Sequence, residues 1–292
     1  MGCLAGRIRK RLARLPARSG RLLRGAGVQR SVTRLRAAAL IWLCLPAACA
    51  APRPPDAAPT QRDALWRIVQ QQCLPDWRQN HDPAPCVQLV TDGLSQGYVV
   101  LADRKGGAHF LLIPVQRLSG IEDARVLRAD SPNYFEAAWQ AREVLVNAVG
   151  HAVRRDAVGL AINPLGHRGQ DQLHIHVACL QPRVQAQLQL LAPSLNADWS
   201  AVRLNDAPYL ALRVMGESLD GVNPFALLAH RVRAQSMGAY SLLVAGMQFP
   251  NGPGFIVLAG RSGTTLPGVV LPPPAWPPTG EMLLDGNCAL ER

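Results

Sequence analysis

GYVVLAD (97–103), RKGGA (104–108) and HFLLIPV (109–115) make one run in which two apolar, β-rich segments flank a Gly–Gly pair. Gly106 and Gly107 supply the positive φ angles that a tight reversal needs, so the run reads as a β-hairpin. Working outward, Ser131–Pro132 reads as the start of a helix. Phe135, Ala138, Trp139, Arg142 and Leu145 follow at helical spacing, predicting one long amphipathic helix through to Gly150. Upstream, Leu65, Ile68 and Val69 with Trp66 stripe a helix over Gln61–Gln72 that stops before Pro75. Downstream, Ala157–Asn163 and Gln172–Cys179 read as strands on either side of a polar loop, and Pro182 opens a further helix. The second half alternates in the same way. It has strands at 209–215, 239–245 and 254–259 and a helix opened by Asn223–Pro224, and it ends in a Pro-rich tail over 267–278. Hairpins mixed with helices predict an α+β fold on an antiparallel sheet. The second half is read either as a related sheet-and-helix lobe or as the completion of one sheet.

The chain has 292 residues and a formal charge of +11, which would suit a nucleic-acid binder if the charge were spread over the fold. It is not. Eleven of the 31 basic residues fall in residues 1–36, which hold no acidic residue, so the remainder balances 20 basic against 20 acidic groups. Behind this basic stretch lies a 15-residue apolar run, AAALIWLCLPAACAA (37–51), too short to span a bilayer in the usual way. Basic, apolar and small-residue regions in that order predict an export segment over 1–51, with Ala48 and Ala50 placed as a cleavage site. Its length suggests translation from near Val28 or Val32. APRPPDAAPT (51–60) then reads as an extended linker, covering 52–60, before a catalytic domain over 61–292. A cytosolic basic tail, lipidation at Cys49 and an uncleaved anchor are the competing readings.

Beyond the leader four cysteines remain, Cys73, Cys86, Cys179 and Cys288. Cys73 and Cys86 bracket a short polar loop and Cys288 lies near the C-terminus. The expected pairs are Cys73–Cys86 and Cys179–Cys288, with four buried thiols as the alternative in a reducing compartment.

The chemistry concentrates in QLHIHVA (172–178). Strand alternation turns Leu173, Ile175 and Val177 to one side and Gln172, His174 and His176 to the other, spacing the two imidazoles ~7 Å apart. Three readings are open. The pair can be a solvated strand face; it can be two metal ligands, for which no nearby pattern supplies a third; or one imidazole can be a nucleophile, a role that suits phosphorus. The preceding loop offers Asn163, Gln170 and Arg168 as polar partners, with Arg168 either a phosphate contact or an exposed charge. His81, His109, His151 and His230 read as structural or solvated.

NPLGHRGQDQLHIHVACLQP (163–182), CLPDW…PAPC (73–86), the 97–114 hairpin and SPNYFEAAWQAR (131–142) together resemble the CDP-diacylglycerol pyrophosphatase family. QLHIHVA itself resembles the His-φ-His-φ-His-φφ signature of histidine-triad nucleotide hydrolases and transferases, with Gln172 in the first His position. The resemblance covers roughly Trp66 to Cys288. It implies a histidine-triad-like antiparallel sheet flanked by helices, in a bacterial enzyme on the periplasmic face of the inner membrane. The implied reaction is hydrolysis of membrane CDP-diacylglycerol to CMP and phosphatidate, with cytidylyl transfer open to the same intermediate. It further implies His174 as nucleophile, His176 as a group that orients the phosphate, and Gln172, Gln170 and Asn163 as substrate contacts. No metal or cofactor and no nucleic-acid partner are expected. Alternatives are a periplasmic hydrolase of soluble dinucleotides or nucleotide sugars, and a nucleotide- or lipid-binding module without turnover.

Overall fold

A computed structural model of the chain describes residues 61–91, 96–262, 265–266, 269–270 and 279–291. The expected leader (1–51), the linker (52–60) and most of the Pro-rich tail lie outside them. The hairpin at 97–115 forms as read: β2 (Gly97–Ala102) pairs antiparallel with β3 (His109–Pro114). Gly106 and Gly107 take φ of 74° and 70° in the connection, where a Cβ on Gly107 would stand 2.4 Å from the Gly286 carbonyl oxygen. To these strands the chain adds β1 (Gln88–Thr91), β4 (Val158–Ile162), β5 (Ile175–Leu180), β6 (Ser200–Leu204), β7 (Ala207–Met215), β8 (Tyr240–Phe249) and β9 (Gly252–Arg261). The order is β1-β2-β3-β5-β4-β8-β9-β7-β6, and every pairing is antiparallel. The fold is therefore α+β, and the second half extends the same sheet through the β4–β8 ladder.

Helices cover both faces. On one face α3 (Tyr134–Gln140), α4 (Glu143–Val149) and α6 (Pro224–Val232) bury Tyr134, Phe135, Trp139, Leu145 and Phe225 against Leu112, Leu160, Val177 and Val257. On the other face two helical groups share the work. The segment running through α1 (Ala64–Ile68), a π-turn (Val69–Cys73) and α2 (Leu74–Asn80) packs on β2 and β3 through Leu65, Val69 and Leu74. The helix α5 (Pro182–Leu191) packs on β4, β5, β8 and β9 through Val184 and Leu188. On this second face the ladder of β5 with β3 and β4 puts His176 opposite Leu111 and Ala161, which belong to the two different apolar groups. The histidines thus sit where one helical cover ends and the next begins.

Three local readings are corrected. The helix expected over 131–150 is two helices, capped by Asn133, whose side-chain oxygen accepts from the Glu136 N–H. Its axis breaks at Ala141–Arg142, where the Arg142 guanidinium folds back to donate to the Trp139 carbonyl and stacks 4.2 Å from the Trp139 ring. The N-terminal helix does not stop at Pro75, because the wider π-turn before it relieves the clash a proline ring makes with the carbonyl one turn back. The strand expected from Gln172 begins at Ile175, since the Leu173 N–H bonds the Leu118 carbonyl of a loop instead of a ladder partner.

Cys73–Cys86 and Cys179–Cys288 are both disulfides, as expected. The second ties the C-terminal segment to β5, where β12 (Leu284–Asp285), numbered after the short β10–β11 ribbon (Thr265–Leu266 with Val269–Val270), pairs with Leu180 and Cys179. Among the described residues no helix is long and apolar enough to cross a membrane.

Candidate active site

The Nδ1 of His174 lies 2.7 Å from the Gln172 carbonyl oxygen. A carbonyl only accepts, so Nδ1 carries the ring proton and Nε2 keeps its lone pair. Burial pushes this imidazole below its ordinary pKa, against an opposing pull from the Gln172 carbonyl, and the charge of Arg168 adds to the lowering. His174 is therefore neutral near pH 7 and presents an unprotonated nitrogen.

His176, two residues on, is 4% exposed, and its ring meets that of His174 edge-on at 5.1 Å. Its Nδ1 is 3.0 Å from Nε2 of His109, a buried residue that the ladder brings alongside by pairing His109 with Ala178. Of the two readings of His109, structural or solvated, burial excludes the solvated one. An Asp103 carboxylate oxygen stands 3.8 Å from the same His109 nitrogen and 4.0 Å from the His176 Nδ1. Burial lowers the pKa of both His109 and His176, the latter well below its ordinary value. The remaining nitrogen of His176, Nε2, is buried without a hydrogen bond, 3.6 Å from a Glu281 carboxylate oxygen.

Glu281 arrives from the far end of the chain, and Asn163 holds it. The Asn163 amide donates to the carboxylate at 2.9 Å and its oxygen accepts from the Glu281 N–H at 3.2 Å. Lys105 forms an ion pair with the same carboxylate. Lys105, His109, Glu281, Gly286 and Asn287 line an open cleft of ≈ 200 Å³.

The other expected contacts are occupied by the protein. Gln172 is fully buried and its amide N–H groups donate to the Pro114 and Gln116 carbonyls. Gln170 accepts from the Leu65 N–H and donates to the Gln61 carbonyl, pinning the N-terminal helical segment. Arg168 is not an exposed loop charge: its side chain is 4% exposed and pairs with Glu122 at 2.6 Å and Asp171 at 3.2 Å. His81, His151, His167 and His230 are exposed. The reading that no third metal ligand lies near also changes, because Asp103, His109 and His176 bring ligand atoms within 4.8 Å of one another. Asp103 and Glu281 are not singled out in the sequence, and His109 is given no part in the site there. The only signals were period-two spacing, which sets His109 on the face of Leu111 and Ile113, and an acidic residue at each end of a turn or tail.

A helix-covered antiparallel sheet that buries three imidazoles beside two carboxylates, one imidazole with its Nε2 lone pair uncommitted, is an α+β arrangement able to carry histidine chemistry. Residues 60–291 match the family described as CDP-diacylglycerol pyrophosphatase. A CDP-diacylglycerol pyrophosphatase from Yersinia pestis is 37% identical over 204 residues, which cover 68% of this chain and 77% of that protein. The chain belongs to the CDP-diacylglycerol pyrophosphatase family.

Proposed function

We propose that this chain hydrolyses the pyrophosphate bond of CDP-diacylglycerol in two displacements at the nucleotide-side phosphorus, with His174 as nucleophile. His174 Nε2 attacks; an N–P bond forms as the P–O bond to phosphatidate breaks, and phosphatidate departs with the electron pair. Water then attacks the cytidylyl-His174 phosphorus, the N–P bond breaks with its electron pair returning to Nε2, the water proton passes to solvent, and CMP is released. The observation that carries this reading is the Nδ1–H bond to the Gln172 carbonyl, which fixes the tautomer a nucleophilic Nε2 requires.

The neighbours have supporting tasks. His176 packs on the His174 ring and holds its orientation. Arg168 places a buried positive charge within electrostatic reach of His174, which favours charge building up on the phosphoryl oxygens. Gln172 positions His174 through its backbone. Asn163 acts through Glu281, and Gln170 acts through the N-terminal helix it anchors. Two disulfides fit an oxidising compartment, which supports export to the periplasmic face of the inner membrane, where the lipid substrate lies.

CMP release from CDP-diacylglycerol in detergent micelles, compared with soluble CDP-alcohols, tests the substrate. Wild type should prefer the lipid, and H174A should be inactive while folded. An active H174A protein would remove the nucleophile assignment, and equal rates on soluble substrates would move the reading to a periplasmic nucleotidyl hydrolase.

A further inference from the structure

We infer that Asp103, His109 and His176 form a binding site for one divalent transition-metal ion of the zinc class, with Glu281 as an outer carboxylate. The inference rests on the geometry of these side chains and not on the role of His174. Three atoms converge: His109 Nε2 and His176 Nδ1 at 3.0 Å, and an Asp103 oxygen at 3.8 and 4.0 Å from them. A point about 2.1 Å from all three atoms exists at the centre of that triangle, which is the bond length zinc takes to imidazole nitrogen and carboxylate oxygen. A hydrogen-bonded histidine pair accounts for the 3.0 Å contact alone. It leaves one Asp103 oxygen too far from both nitrogens to accept a proton from either, while the other oxygen accepts from the Lys105 N–H and aims the carboxylate at the pair. A shared cation accounts for all three separations.

The surroundings agree. With Nδ1 of His176 turned to the ion, its Nε2 carries the proton and faces the Glu281 carboxylate at 3.6 Å, a gap that must close for the carboxylate to hold that tautomer. The Asn163 clamp and Lys105 hold that carboxylate in place. Asp103 and Glu281 against Lys105 leave one net negative charge around a doubly positive ion. Two nitrogens and one oxygen favour zinc-like ions over magnesium or calcium, and three protein ligands leave a coordination position for a water or phosphate oxygen.

The test is direct binding to the chain stripped with chelator, titrated with Zn²⁺ against a chromophoric competitor, with Co²⁺ absorption reporting the ligand field. One equivalent should bind, with Co²⁺ absorption that shows nitrogen and oxygen ligation. E281Q should weaken binding roughly tenfold to a hundredfold, H109A and D103N should weaken it further, and H174A should leave it unchanged. H109Q and thermal melts keep the comparison valid if H109A misfolds. Failure to bind one equivalent, or binding that folded H109Q and D103N leave unchanged, would overturn the site. Neither result bears on the fate of the cytidylyl group at His174.

Discussion

The two disulfides should differ in worth, and the difference follows from the loops they close. Cys73–Cys86 spans 13 residues and Cys179–Cys288 spans 109. Loop-closure entropy assigns about 3 kcal/mol to the first and about 5 kcal/mol to the second at 25 °C. All four cysteines are at most 4% exposed, so the packing lost on changing each pair to alanine is similar and largely cancels between the variants. With a urea slope of about 3 kcal/mol/M for a chain of this size, C73A/C86A should lower the unfolding midpoint by about 1 M and C179A/C288A by about 1.7 M. The second variant should also lose activity well below its unfolding transition, because it removes the covalent tie of the segment that delivers Glu281 to His176 and leaves only hydrogen bonds and the Lys105 ion pair to hold it. Equilibrium urea unfolding of both variants, with CMP release followed in parallel, checks this. A larger midpoint shift for C73A/C86A, or full activity in C179A/C288A, would refute the reasoning.

Two further outcomes concern stability. Trp139 is 1% exposed, meets Phe255 edge-on at 4.8 Å, lies under Arg142 and Arg155, and donates to the Glu217 carbonyl. W139A should cost about 3–5 kcal/mol in urea unfolding, and a loss under about 1.5 kcal/mol would show that this packing matters less than its geometry suggests. Asp171 is held down to about 2 by its hydrogen bonds from Arg62, with Arg168 assisting. Its contribution is present above its ordinary value of 3.8 and disappears as pH falls toward 2, so the stability gap between wild type and D171N should shrink across that interval. A gap that stays constant in urea titrations from pH 5 to 2 would contradict the ion pair.

What the sequence disclosed and what it hid divide along contact distance in the chain. The 97–115 hairpin, the cap at Asn223 and the strand after His174 are written in local residues, and local rules read them. The Ser131–Gly150 helix was misread because its break depends on Arg142 turning back onto Trp139, a choice that spacing does not encode. At the site, His174 and His176 were legible from alternation, but their partners were not. His109 reaches His176 only through the register of β3 on β5, and Glu281 only through Asn163, 118 residues away. Gln170 and Gln172, chosen as donors for a substrate, spend their amide protons on backbone carbonyls. Polar residues near a motif serve the fold as readily as the ligand.

The central claim is that His174 carries the cytidylyl group. The most direct measurement is a rapid acid-free quench of the enzyme with CDP-diacylglycerol labelled in the cytidine moiety, followed by digestion and mass mapping of the labelled peptide. Label on His174 alone, absent in the H174A protein and discharged as CMP on incubation in water, is the predicted result. Label on another residue, or CMP formed with inversion at phosphorus and no labelled peptide at any time, would contradict it.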